Sequence, residues 1–251
     1  MSYKYNYKLT ISYIGTNYYG WQKQPKHKTI QQTIEDKLEV LVKNKVKLIA
    51  SGRTDAGVHA LGQVANFKTK EYFEAEKIKR YLNATLPKDI AIKDCKLVPL
   101  NFHARFSAKG KTYIYKIYKE PDPFMVNRGW YVSKDIDLVR LQDAIDIVLT
   151  ADSLISMSQK GEYLRKDVDL REFNFKFDGF LLEFRVSASH FLRYMVRKLV
   201  AHVLHVGTGR LDINLFKQII ESKDPTRAMF LAPPDGLYLK EVYYLPEDET
   251  L

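Results

Sequence analysis

The segment SGRTDAGVHA at residues 51–60 indicates the fold and the chemistry of this chain more strongly than any other stretch. It lies between VKLIA at 46–50 and GQVANFK at 62–68, both of which have the composition of strands. Two glycines bracket Arg53 and Asp55, so the backbone can approach a ligand closely while both charges face outward. An aspartate among small residues can act as a nucleophile or a general base. It can equally cap the next turn beside a solvated arginine, and the spacing alone favours neither interpretation.

Strand patterns and helix patterns follow one another on both sides of this segment. Residues 5–14 alternate polar and apolar side chains, which predicts a strand. Thr29 then opens a helix to residue 44, and Gln32 completes a capping box with it. Further helices are predicted at 75–84, 137–149, 190–206 and 213–222, and further strands at 90–98, at 111–118, on both sides of a Gly179 turn in 173–188, and at 236–245. We therefore expect an α+β protein with an N-terminal half at 1–104 and a C-terminal half at 105–251.

The composition points to a polyanionic partner. The chain has 251 residues, of which 45% are hydrophobic, and it carries a formal net charge of +10. Such an excess of positive charge favours nucleic acid, although lysines that only keep a basic protein soluble are the alternative. The single cysteine, Cys95, excludes an intramolecular disulfide and a cysteine metal cluster. The N-terminal sequence lacks the apolar core of a signal peptide, and no segment approaches the roughly 20 apolar residues that span a bilayer. We expect a cytoplasmic protein with no membrane partner.

The segment GRTDAGVHA closely resembles the active-site loop of the TruA family of transfer-RNA pseudouridine synthases. Nine consecutive residues match without a gap, and the resemblance extends over most of the chain. The other matching blocks are YIGTNYYGWQKQ at 13–24, LGQVANF at 61–67, NATLPKDIAI at 83–92, NFHARFSAKGKTYIYKIY at 101–118, FLRYMVRKLVAHVLHVGTG at 191–209 and GLYL at 236–239. The resemblance implies the pseudouridine synthase fold, in which two similar α/β halves with mostly antiparallel sheets meet at a central basic cleft.

The resemblance also implies a role for five side chains. Asp55 falls on the family's essential aspartate, and Arg197 falls on the arginine that pairs with it. Tyr113 falls on the tyrosine that stacks against the target base, so we count it as both catalytic and substrate-binding. Arg53 falls on the arginine that occupies the space left by the flipped nucleotide. Leu237 falls on the apolar residue that lines the base pocket.

Without the resemblance, most of these assignments would have ordinary structural alternatives. Tyr113 would be read as a packed strand tyrosine, and Arg197 as a surface arginine on an amphipathic helix. Leu237 would indicate only the core of a strand. His59 is included among the substrate-binding residues because it follows the loop directly, where it can reach a phosphate or orient the loop; His103 is open to the same two interpretations.

The implied reaction needs no cofactor and no metal. Forming pseudouridine breaks the C1′–N1 bond, turns the uracil and rejoins it through C5, so no atom is gained or lost. Flipping the base costs a few kcal/mol, and an aromatic side chain contributes roughly 1–3 kcal/mol by stacking. His202 and His205 lie three residues apart on a predicted helix, but no Cys or Glu with metal-ligand spacing accompanies them. Whether Asp55 attacks C1′, adds to the uracil ring or removes the C2′ proton is left open.

The resemblance implies a homodimer that modifies tRNA uridines at positions 38 to 40 in the anticodon arm. Three places depart from the family pattern: Ile14, where the family commonly has Asp, TADSLISM at 150–157 and VDLR at 168–171. They leave the proposed catalytic groups intact but make a paralogue acting on another RNA, such as ribosomal RNA, an alternative. A non-catalytic RNA-binding protein is a second alternative. A metal nuclease is disfavoured, because residues 51–60 offer only one carboxylate.

Overall fold

The computed structural model describes residues 3–161 and 168–250. In these ranges the strands are β1 (Tyr5–Tyr13), β2 (Ile49–Ala50), β3 (His59–Thr69), β4 (Ile90–Val98), β5 (Gly110–Tyr118), β6 (Trp130–Tyr131), β7 (Leu170–Phe177), β8 (Leu181–Ala188) and β9 (Leu237–Tyr243). The helices are α1 (Ile30–Val42), α2 (Ala75–Thr85), α3 (Leu138–Leu149), α4 (Met195–Gly207), α5 (Ile213–Glu221) and α6 (Pro246–Glu249). The chain divides into two compact units. The first comprises the described residues up to Lys111 and from Tyr238 onward, and the second comprises those between Thr112 and Leu237.

The sheet of the first unit has the order β4-β1-β3-β9. β1 pairs antiparallel with both β3 and β4, so it lies in the middle and its side chains are mostly buried. The other edge of β3 pairs with two strands at different positions along its length. β2 pairs there antiparallel with Ala65 and Asn66, whereas β9 pairs parallel with His59 and Ala60. The connection from β2 to β3 therefore re-enters the sheet at His59, where β9 joins it.

Helix α1 begins where its sequence predicts. The Thr29 side chain accepts a hydrogen bond from the backbone N–H of Gln32 at 3.4 Å, which confirms the N-cap. The reciprocal half of the predicted capping box is absent, because the Gln32 side chain bonds to Asp36 one turn further on. Apolar residues at helical spacing, Ile30 and Ile34 among them, are fully buried.

The strand predicted at 46–50 is correct only for its last two residues, which form β2. The physical reason is that side chains of α1 take the backbone groups that a strand would use. The Leu48 N–H donates to the Glu35 carboxylate at 2.9 Å, and the Leu48 carbonyl accepts from Gln31 at 3.2 Å. This segment is tied to a helix before it reaches the sheet.

The sheet of the second unit has the order β5-β8-β7, and β6 pairs parallel with β5. β7 and β8 form the predicted antiparallel hairpin, and Gly179 lies at its turn with φ of +96°. Helix α4 begins at Met195, so the prediction that it starts at residue 190 was wrong. Tyr194 holds a left-handed conformation with φ of +65°, which ends any regular helix on its N-terminal side. Within residues 3–161 and 168–250, no helix is long and apolar enough to cross a membrane.

Candidate active site

The segment that carries Asp55 is the connection between β2 and β3 in the first unit. Its first backbone N–H, that of Ser51, donates to the Val64 carbonyl at 2.8 Å. The connection is therefore closed across paired strands at its base, which restrains a loop far more than a free linker would.

Buried polar side chains fix the first two residues of the connection. The Ser51 hydroxyl donates to the Gln63 side-chain oxygen at 2.8 Å, and the Gln63 amide donates to the Gly52 carbonyl at 3.0 Å. The Lys111 ammonium donates to the Ser51 carbonyl at 2.7 Å. Burial and, to a smaller extent, the nearby positive charge of Arg105 lower the pKa of Lys111 to about 8. A Cβ on Gly52 would lie 2.5 Å from the Lys111 nitrogen, so the lysine occupies the space that the glycine leaves.

Thr54, next to Asp55, is held by both its side chain and its carbonyl. Its hydroxyl and the Tyr13 phenol are hydrogen-bonded at 2.7 Å, and its carbonyl accepts from the Trp21 N–H at 3.1 Å. Burial raises the pKa of Tyr13 to about 12, so the phenol is neutral at physiological pH. Gly20, with φ of +81°, passes so close that a Cβ there would lie 2.5 Å from the Thr54 oxygen. The backbone before Asp55 therefore has little freedom to move.

The backbone after Asp55 is fixed as well. The Asp55 carbonyl accepts from the Val58 N–H at 3.2 Å, which closes a tight turn. Gly57 lies in this turn with φ of +79°, and its N–H donates to the Tyr18 carbonyl at 3.3 Å. Within this fixed frame the Asp55 side chain is half-buried and the Arg53 side chain is exposed. A half-buried aspartate on a fixed backbone is an arrangement that suits a nucleophile or a general base.

His59 is the third predicted site residue of the first unit, and its side chain is fully buried. Its Nδ1 accepts a hydrogen bond from the Gly15 N–H at 3.0 Å, and its ring lies 4.6 Å from the ring of Tyr238. The imidazole thus joins the end of the Asp55 turn to the segment after β1 and to β9. A direct contact between His59 and the substrate stays a prediction. The contacts that the structure shows hold the end of the Asp55 turn in place.

In the second unit, Arg197 lies in the first turn of α4 and is tied to the 232–237 segment. Its Nε donates to the Ala232 carbonyl at 2.7 Å, and its backbone carbonyl accepts from the Ala232 N–H at 3.2 Å. The guanidinium lies 5.4 Å from the centre of the Tyr194 ring. Sequence reasoning did not single out Tyr194, because only the structure reveals its left-handed backbone and its contact with Arg197.

Leu237 follows a segment that packs against Tyr115. The Tyr115 hydroxyl donates to the Pro233 carbonyl at 2.8 Å, and a Cβ on Gly236 would lie 2.6 Å from the tyrosine ring. Burial raises the pKa of Tyr115 well above its ordinary value, although the positive charge of Arg197 opposes this effect. Arg197 and the residues leading to Leu237 therefore belong to one packed group. Leu237 itself is buried.

Tyr113 lies two residues before Tyr115 on β5 and is only half-buried. Its ring meets that of Phe191 edge-on, at 5.0 Å between centroids. The core-packing interpretation therefore fits Tyr115, whereas Tyr113 keeps part of its ring accessible. Each unit thus supplies its own group of predicted site residues: Arg53, Asp55 and His59 in the first unit, and Tyr113, Arg197 and Leu237 in the second.

The model of a protein family described as tRNA pseudouridine synthase matches residues 9–107 and 144–245. The chain belongs to this tRNA pseudouridine synthase family. Within the family, the chain is 40% identical to tRNA pseudouridine synthase A of Acetivibrio thermocellus over 242 residues, which cover 95% of this chain and 99% of the relative. It is 42% identical to the protein of that name from Caldicellulosiruptor saccharolyticus, with the same coverage of both chains. It is 36% identical to that from Aquifex aeolicus, over 94% of this chain and 98% of the relative.

The family match confirms the resemblance seen in the sequence and places the chain among enzymes that isomerise uridine in RNA. The matched ranges contain Asp55, Arg197 and Leu237 but not Tyr113, which lies between them. The role of Tyr113 therefore depends on the sequence block at 101–118 and on its partly accessible ring.

Proposed function

We propose that this chain isomerises uridine to pseudouridine in tRNA, with the carboxylate of Asp55 as the catalytic group. The observation that carries the proposal is the fixed backbone around Asp55, which positions a half-buried aspartate within a member of the tRNA pseudouridine synthase family. All three relatives above are named tRNA pseudouridine synthase A and match over nearly their whole length, which supports tRNA as the substrate.

In this proposal the substrate lies in a basic cleft where the two units meet. Arg197 pairs with Asp55 and favours its ionised form. The flipped uracil stacks on Tyr113 and contacts Leu237, and Arg53 fills the space that the base leaves in the stack. The formal charge of +10 supports binding of the phosphate backbone. The targets are uridines 38 to 40, the enzyme is a cytoplasmic homodimer, and the reaction proceeds without a cofactor.

Asp55→Asn tests the catalytic assignment, because it removes the charge and keeps the shape. Turnover is measured as tritium released from tRNA labelled at C5 of uridine, and affinity is measured by filter binding. We expect turnover to fall by at least about 10²–10⁴-fold, the usual contribution of a positioned acid or base, with affinity nearly unchanged. Asp36→Asn is the matched control, since Asp36 is an exposed aspartate on α1 of the same unit. An Asp55→Asn enzyme that works at the wild-type rate would overturn the assignment.

A second candidate is a pseudouridine synthase that acts on another RNA. The departures at 150–157 and 168–171 favour it, and the residues between them are described only in part, since 162–167 lie outside the described ranges. A site-resolved map of pseudouridine, with and without this protein, separates the two. Loss of pseudouridine from the tRNA anticodon arm supports the first proposal, and loss from ribosomal RNA supports the second.

A further inference from the structure

The turn HARFS at residues 103–107 displays an aromatic ring that the site described above does not use. The Phe106 side chain is 75% exposed, and Arg105 beside it is exposed as well. An aromatic ring that an ordered turn holds in water offers a face on which a nucleic-acid base can stack. The turn lies in the first unit, just before β5.

The ring is not exposed because the turn is loose. The Ser107 N–H donates to the His103 carbonyl at 2.9 Å, and the His103 N–H donates to the Ser107 hydroxyl at 3.2 Å. The His103 Nδ1 accepts from the N–H groups of Arg105 and Phe106 at 3.2 and 3.3 Å. Four hydrogen bonds therefore define a turn of five residues.

The same turn is anchored to the core through Ala104, which is fully buried. The Ala104 N–H donates to the buried Asn66 side chain at 2.9 Å, and its carbonyl accepts from the Tyr244 hydroxyl at 2.6 Å. Asn66 belongs to β3, and Tyr244 follows β9. Ala104, the second residue of the turn, is thus held by β3 and by the residue that follows β9, while Arg105 and Phe106 are exposed.

One cation and one imidazole ring lie beside the Phe106 ring. The Arg105 guanidinium lies 5.8 Å from the centre of Phe106, and the His103 ring lies 4.3 Å from it. The charges of Lys68 and Arg105 both lower the pKa of His103, after the larger effect of burial. Arg105 also lowers the pKa of Lys111, whose ammonium holds the Ser51 carbonyl at the start of the Asp55 connection. The cations around Phe106 therefore extend to the base of the catalytic loop.

We propose that Phe106 and Arg105 form a stacking site for an unpaired nucleotide of the RNA substrate, other than the uridine that is isomerised. The base lies on the Phe106 ring and the Arg105 guanidinium contacts its phosphate, the combination with which proteins bind unpaired nucleotides. A protein partner fits less well, because protein interfaces centre on apolar patches with few charges, whereas the Arg105 guanidinium lies beside this ring and the charge of Lys68 acts on the adjacent His103. The inference rests on the proposed RNA substrate and adds a second contact point to it.

The test measures the affinity for an unmodified tRNA transcript on the inactive Asp55→Asn protein, so that binding is separated from turnover. Phe106→Ala should weaken binding by about 5- to 100-fold, the range given by the loss of one stacked base. Phe106→Trp should retain the wild-type affinity, because any aromatic face serves. The slope of log affinity against log salt is negative, and Arg105→Ala should make it shallower by about one. In the active enzyme, Phe106→Ala should raise KM more than it lowers kcat.

Phe124 supplies a matched control. Its side chain is 91% exposed, but Asp122 accepts a hydrogen bond from its N–H and places a carboxylate beside it. Phe124→Ala should leave the affinity for tRNA unchanged. Because the Phe106 ring is exposed, Phe106→Ala should also leave the urea midpoint of unfolding unchanged.

Three results would overturn the inference. They are unchanged affinity in Phe106→Ala, equal losses in Phe106→Ala and Phe106→Trp, and a changed sedimentation coefficient in Phe106→Ala, which would mark the ring as an interface between copies of the chain. Each is distinguishable from failure of the proposed function, which would appear as absent tritium release in the wild-type enzyme.

Discussion

Lys111→Met should make the pH dependence of stability shallower, because this lysine is buried beside the Ser51 carbonyl. Its pKa is lowered from 10.5 to about 8 by burial and, to a smaller extent, by Arg105. Between these two values the unfolded chain binds more protons than the folded chain, so the free energy of unfolding rises with pH. The contribution is fully present above the unfolded pKa and is lost as the pH falls through the folded pKa.

The magnitude follows from the size of that shift. One pKa unit corresponds to about 1.4 kcal/mol. Between about pH 7 and about pH 9.5, the folded lysine is deprotonated while the unfolded one is still protonated over roughly 1.5 pH units. Wild-type protein should therefore gain about 2 kcal/mol over this range relative to Lys111→Met. A hydrogen bond from the neutral amine to Ser51 does not change the sign, because only the difference in bound protons enters the slope.

Urea unfolding of both proteins at the two pH values measures the effect. The control is Lys45→Met, since Lys45 is exposed on the same unit and its pKa is raised by its hydrogen bond to Glu39. Its ionisation lies above this pH range, so the control should follow the wild-type curve. If wild type and Lys111→Met differ by the same amount at both pH values, the ammonium is not buried as the structure places it.

Two further substitutions probe the loop and the second unit. Gly20→Ala should lower turnover and stability, because the left-handed backbone costs about 1–2 kcal/mol and the new Cβ would press on the Thr54 oxygen. Gly179→Ala is the control, because Gly179 has a similar φ but a Cβ there would meet open space, so only the backbone cost applies. Equal tritium release from the two variants would refute the proposed contact between the new Cβ and the Thr54 oxygen. His202→Leu should reduce the stability lost as the pH falls from 6.5 to about 4, since burial lowers the histidine pKa to about 4. Urea midpoints at the two ends of that range measure it, and an acid-side loss equal to that of wild type would contradict the prediction.

The elements that the sequence predicted well depend on neighbours along the chain. The cap at Thr29 and the hairpin at Gly179 are decided within a few residues, by one side-chain hydrogen bond and by one positive φ. The start of α4 and the segment 46–48 were mispredicted, because in each case the structure depends on a conformation or a contact that the local sequence pattern does not show. The backbone of Tyr194 is left-handed, and the side chains of α1 occupy the backbone groups of Leu48.

The same division holds for the candidate site. The residue types in 51–60 and the block around Arg197 were enough to identify the family, and the family match confirms it. Neither pattern reveals that Thr54 is fixed by Tyr13 and Trp21, which lie more than thirty residues earlier in the chain.

By itself, the sequence determined the family, the acidic loop and most of the helices and strands, because these follow from residue types and spacings along the chain. Only the tertiary structure decided which groups hold the loop in place. β9 joins β3 beside His59, and Lys111 reaches back to Ser51, across 60 residues of chain. Such contacts arise because a buried polar group forms a hydrogen bond with a partner that packing places nearby. The spacing of residues along the sequence does not reveal which partner that is.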